Sequence, residues 1–197
     1  MPLGDDGVVE LREWILTEHA SAFDRMARSI LDIVPRDRWR DGVGDGGSSI
    51  AYLLYHITYH ADLAINAVLP GGDPAMATWR GRLGLGGHPA HAGLGETEDV
   101  ALTADVDVEA LVTYAESVQA TGTELLGALD LARLGDVPAA GEALERAGVA
   151  EAAVPWLHAM WAGKPASFFV QWEAIGHRIN HVGEMVSVRN RLGLSPF

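Results

Sequence analysis

The sequence contains no cysteine, a single lysine (Lys164) and no long uninterrupted apolar run. Each shortage removes a class of function. Without thiols there is no disulfide scaffold, no thiolate metal site and no cysteine nucleophile. A membrane span needs about 18 consecutive apolar residues, and none is present. The 14 Lys and Arg stand against 27 Asp and Glu, a formal net charge of −13. With no basic run to neutralise phosphates, the chain is expected to bind neither nucleic acid nor an anionic membrane surface. Its N-terminal stretch, MPLGDDGVVELREW, lacks a basic segment followed by an apolar core. No secretory signal is expected, and the location reads as cytoplasmic.

What the chain has is helical periodicity. Its 197 residues, 48% of them hydrophobic, suit one domain over 1–197, large enough to fold without a structural metal. Apolar spacing and capping signals predict long helices over 6–33, 48–69, 107–131 and 166–192. A short helix is expected around Ala139–Ala147. Pro70-Gly71-Gly72 opens a Gly- and Pro-rich stretch, 70–106, too long for a turn and read as a crossover connection. Alternating strand patterns are absent. The expected fold class is all-α, a four-helix bundle with one long crossover between the second and third long helices.

Four of the eight histidines repeat one spacing. His56 and His60 lie four apart on the second helix, and His177 and His181 four apart on the last. Residues so spaced lie above one another on one helix face, so each pair can share a cation. On a helical wheel Val170, Ala174, His177, His181, Met185, Val188 and Leu192 form one narrow stripe, which turns both histidines inward. The bland alternative is a set of core histidines with satisfied ring nitrogens. Lacking cysteine and dense carboxylates, the pattern favours imidazole ligation of Zn, Ni or Fe(II) over a Ca or Mg cage. No H-E-x-x-H is present, which excludes that class of zinc protease.

Two segments carry a resemblance. Ser48-Ser49-Ile50-Ala51-Tyr52-Leu53-Leu54-Tyr55-His56-Ile57 resembles the second helix of the DinB/YfiT-like metalloenzymes. His177-Arg178-Ile179-Asn180-His181-Val182-Gly183-Glu184 resembles their last helix, and Pro35-Arg36-Asp37-Arg38-Trp39 the stretch joining their first two helices. The resemblance implies a bundle with His56, His177 and His181 as ligands of Zn or Ni and an open position on the metal. Glu184 stands where many members carry Gln. The family further implies S-transferases or isomerases that use a low-molecular-weight thiol such as mycothiol. Here that thiol must arrive as a co-substrate. Metal-dependent hydrolysis of a small molecule is the other enzymatic option. The rival from another class is a non-catalytic bundle that binds a metal or small ligand as a sensor or stress protein.

Further roles are expected nearby. His60, one turn beyond His56, is a candidate proton shuttle or labile fourth ligand, and Glu184 is a candidate for orienting a ligand imidazole or acting in catalysis. Glu173 reads as a solvated helix charge, His19 as a boundary residue, and His158 as packed among aromatics. His88 and His91 read as exposed. A second stripe on the last helix, Phe168, Trp172, Ile175, Ile179, Val182 and Val186, needs covering. Either the crossover, through Trp79, Leu83, Leu85 and Leu94, or a twofold partner could do so, and a homodimer is the favoured expectation.

Overall fold

Local chemistry sets where the helices begin. Ser49 accepts a hydrogen bond from the Tyr52 backbone N–H at 3.2 Å and so caps the helix that follows. Asp107 does the same for the next long helix, accepting from Glu109 and Ala110. The structure is a computed structural model that describes residues 10–42, 44 and 47–196. Its long helices are α1 (Leu11–Met26), α2 (Ile50–Asp62), α5 (Val108–Ala128) and α9 (His177–Arg191). Between them lie α3 (Met76–Trp79), α4 (Val100–Asp105), α6 (Ala140–Arg146), α7 (Pro155–Trp161) and α8 (Ala166–Phe168). The protein is all-helical, with no strand among the described residues. None of these helices is long and apolar enough to cross a membrane.

The expected boundaries and the observed ones differ in instructive ways. Residues 6–9 of the first expected helix lie outside the described residues. Three long helices carry wide π turns, over Ala27–Leu31, Leu63–Val68 and Phe169–Gly176. The last of these joins α8 to α9 and resets the register just before His177. Helix α7 was not expected, although Pro155 occupies its first turn, where a missing N–H costs nothing.

α1 packs against α5 and α9, and α2 packs against the same two helices from the other side. All 13 residues of α2 are buried. A helix with one inward stripe would not be; the crossover supplies the remaining cover. Tyr52, Tyr55 and Tyr59 donate from one side of α2 to the carbonyls of Gly95, Ala92 and Ala90. The crossover must therefore bring its backbone against α2, which accounts for the glycine at 93. Gly93 has φ +76, and a Cβ there would fall 2.3 Å from the Tyr55 ring. Asp62 pins the start of the same segment, accepting from the Ala75 and Met76 N–H groups and from Tyr114.

Part of the second stripe on the last helix finds its cover within the chain, and from helices other than the crossover. Trp79 packs on Tyr114 of α5 with ring centroids 5.7 Å apart, and the Leu83 carbonyl accepts from Asp107 N–H. The crossover thus serves α2 and α5. Ile175 and Val182 of the second stripe are buried within the chain itself, where α9 and its π turn meet α1. The stripe needs no second subunit to cover those positions, and Trp172 is its exposed member.

Candidate metal centre

α2 and α9 bring His56, His60, His177 and His181 into one buried cluster. The Nε2 atoms of His56 and His177 are 3.3 Å apart, and those of His177 and His181 are 3.0 Å apart. The opposite ring nitrogens explain why. His56 Nδ1 lies 2.9 Å from the Gly93 carbonyl, which can only accept, so the proton sits on Nδ1 and a lone pair on Nε2. His181 Nδ1 faces Glu184 Oε2 at 3.0 Å, and His177 Nδ1 faces Glu173 Oε2 at 3.5 Å. By the same logic His181 turns a bare Nε2 lone pair inward, as His177 does when its proton sits on Nδ1, toward the Glu173 carboxylate.

Three acceptors at this separation repel unless a cation lies among them. Burial, reinforced by the neighbouring imidazoles, holds the pKa of His56 down to about 2. Burial likewise lowers that of His177, against the pull of Glu173. Both are therefore neutral at pH 7, the form that binds metal. The donors are imidazoles with no thiolate, and each carries an acceptor on its far side. This set fits Zn or Ni, and the far-side acceptors are the partners that fix a ligand's tautomer and orientation.

Glu173 is not the solvated charge expected. It is 1% exposed, and its Oε1 accepts from the Trp161 indole N–H at 2.7 Å. Its Oε2 lies 3.3 Å from His60 Nδ1 as well as 3.5 Å from His177 Nδ1. Close as they are, none of these three buried atoms has a partner in hydrogen-bond geometry. The spacing had the signal: Glu173, His177 and His181 are each four apart, so the wheel puts the carboxylate on the histidine face. Its residue type argued for solvent, and position prevailed.

His60 occupies a different setting from the other three. Its Nε2 donates to the Leu94 carbonyl at 3.0 Å, which leaves Nδ1 to face Glu173. Burial disfavours charge on both residues, yet the carboxylate raises the pKa of His60, and the two imidazoles hold Glu173 down to about 2. Two tryptophans rim the cluster. Trp172 stacks on His177 at 5.7 Å, a five-residue reach that the π turn makes possible, and Trp156 stacks on His60 at 6.3 Å. They are 36% and 41% exposed, while the histidines are buried.

The remaining candidates lie apart. His19 is buried between α1 and α5 beside Gln119, at 3.2 Å, and close against Gly122. His158 Nε2 donates to the Val149 carbonyl at 2.8 Å. His88, expected in solvent, is mostly covered and pairs with Asp105 at 2.9 Å. Arg178, on the same helix, is buried and bonded to Gln119. A cavity of about 940 Å³ runs along α1 past Glu13, Arg25 and Arg28, away from the cluster.

The buried histidines make stability depend on acid in a stated direction. His19 is held down to about 3 by burial and by Arg178, and His56 and His177 are lowered too. Below their ordinary value of 6.5 the unfolded chain binds protons that the folded chain refuses. Stability present above pH 6.5 is therefore lost as pH falls, by about 1.4 kcal/mol per unit for each histidine. Glu173 adds to the loss below about 4.5. His60 acts on the other side, its contribution fading as pH rises through its elevated value. Urea denaturation with EDTA present, at pH 7.5 and 5.5, is expected to give a clearly lower midpoint at the acid value. Equal midpoints would mean that these rings are not held neutral.

No protein-family model matches the chain, and no curated protein matches it. Among solved structures it is similar to one described as the conserved protein of locus from Enterococcus faecalis. The TM-score is 0.65 at 18% identity, covering 94% of this chain and 99% of that one. The likeness is one of fold.

Proposed function

We propose that the chain is a four-helix bundle with one long crossover, built on α1, α2, α5 and α9, and that it is a metal-dependent enzyme acting on a small molecule. The observation that carries this is the convergence of three Nε2 lone pairs, each backed by an acceptor at Nδ1. A core histidine needs one satisfied nitrogen; three facing one another with bare nitrogens need a cation. His56, His177 and His181 would hold Zn or Ni, in keeping with the resemblance to DinB/YfiT-like metalloenzymes. A bound metal of this kind lowers the pKa of a thiol or water and polarises a carbonyl.

The chain's own residues do the rest. The Gly93 carbonyl, Glu173 and Glu184 fix the tautomers of the three ligands. Trp172 and Trp156 cover the rings and limit water at the approach. His60, its Nε2 engaged by the Leu94 carbonyl and its Nδ1 3.3 Å from Glu173, would position that carboxylate beside the proton-shuttle or labile-ligand role its spacing suggests. The resemblance favours a thiol-dependent transferase or isomerase of the mycothiol type, and with no cysteine the protein would take that thiol from solution.

The experiment is a turnover assay with an electrophile, a low-molecular-weight thiol, and Zn or Ni added to the EDTA-treated protein. Turnover is expected only with metal and thiol together, and His56→Ala should lower it at least 100-fold. Metal-dependent turnover without thiol would favour hydrolysis. Bound metal with no turnover under either condition would leave a binding protein.

A further inference from the structure

Forty residues after His56, the crossover carries a carboxylate to the same place. Glu96 Oε1 lies 4.0 Å from His56 Nε2, and Glu96 Oε2 lies 3.7 Å from His181 Nε2. One ligand atom from each of His56, Glu96, His177 and His181 falls within 4.8 Å of all the others. Four donors placed about 2.1 Å from a tetrahedral Zn are spaced about 3.4 Å apart. The separations given above, 3.0 and 3.3 Å between imidazoles and 3.7 and 4.0 Å to the carboxylate, bracket that spacing.

The crossover is held on both sides of this residue. The Gly93 carbonyl is bound by His56, and the Gly95 carbonyl by the Tyr52 hydroxyl at 2.5 Å. On the far side, Glu98 accepts from Ser49 N–H at 2.8 Å and from Ser49 Oγ at 2.7 Å. Glu98 thus ties the crossover to the first turn of α2, and Glu96 is left over the open side of the histidines. Its side chain is 71% exposed, whereas those of His56 and His181 are 1% and 7% exposed. A solvent-facing acid aimed at buried imidazole lone pairs gains nothing from them directly.

We propose that Glu96 is a fourth and displaceable metal ligand, which closes the site at rest and yields to an incoming anionic donor such as a thiolate. This rests on the three-histidine reading. The three imidazoles are buried on helices, each with an acceptor facing its Nδ1; the Glu96 carboxylate has a flexible, exposed stem and can swing away without disturbing a helix. The fourth position is thereby kept from adventitious anions, and entry favours donors that compete well for a soft cation.

Co(II) serves as the probe, because its visible spectrum reports the ligand set without turnover. Wild type and Glu96→Ala are each loaded with Co(II), then titrated with azide. Both are expected to hold one Co(II) per chain. The variant should show altered visible bands and should bind azide at least ten-fold more tightly, since no carboxylate must be displaced. Glu96→Asp, with a shorter stem, should fall between them. Identical spectra and azide affinities in wild type and Glu96→Ala would overturn the assignment of Glu96 while leaving the three histidines standing. A wild type that takes up no Co(II) would overturn both.

Discussion

Glu173→Leu is expected to destabilise the protein by about 3–5 kcal/mol, the loss that follows when one partner of a buried charged pair is removed. Glu173 is the acceptor for the Trp161 indole N–H at 2.7 Å and faces Nδ1 of both His60 and His177. Leucine fills the volume and serves none of them. His60 can shed its proton, but the indole N–H keeps its hydrogen and is left unsatisfied, at about 1–3 kcal/mol. Glu173→Gln separates charge from hydrogen bonding. Its single amide oxygen can serve Trp161 or the imidazoles but not all three, so an intermediate loss is expected. Urea denaturation with EDTA present measures both variants. A loss under about 1 kcal/mol for Glu173→Leu would mean that the carboxylate does not hold this cluster together.

His177→Ala carries the other large effect. His177 is central to the cluster: its Nε2 lies within 3.3 Å of those of both His56 and His181, and its Nδ1 faces Glu173. Removing it deletes one of the three proposed nitrogen ligands and the imidazole that lies between the other two. Affinity for Zn or Ni is expected to fall by three orders of magnitude or more, judged against the roughly 10–16 kcal/mol by which structural Zn sites bind. His60→Ala, a ring away, should keep most of that affinity, because His60 Nε2 is engaged with the Leu94 carbonyl. Competitive titration against a chromophoric chelator distinguishes them. Equal weakening in the two variants would contradict the separate roles assigned to these rings.

The residues that follow helical periodicity were readable from the chain. His56, His177 and His181 sit on the inner faces that their spacing requires, and Ser49, Asp107 and Pro165 mark helix starts where expected. What escaped depends on tertiary contact or on a change of period. The wide turn over Phe169–Gly176 has no signature in composition, yet it brings Trp172 over His177. Glu96 is 40 residues from His56, in a segment whose glycines read only as loop. One of those glycines, Gly93, instead marks where the backbone meets α2. Complete burial of α2 was hidden for the same reason, since the cover comes from a segment with no periodicity of its own. Glu173 was different: its spacing was legible, and the general preference of acids for solvent outweighed it.

The central claim is that the three converging imidazoles hold a metal ion. Tag-free protein stripped with EDTA and titrated calorimetrically with Zn(II) at pH 7.5 tests it directly. The account requires one Zn(II) per chain, tight binding, and loss of that binding in His177→Ala with its helical circular dichroism retained. Weak or non-stoichiometric uptake by the wild type, or uptake unchanged in His177→Ala, would contradict it.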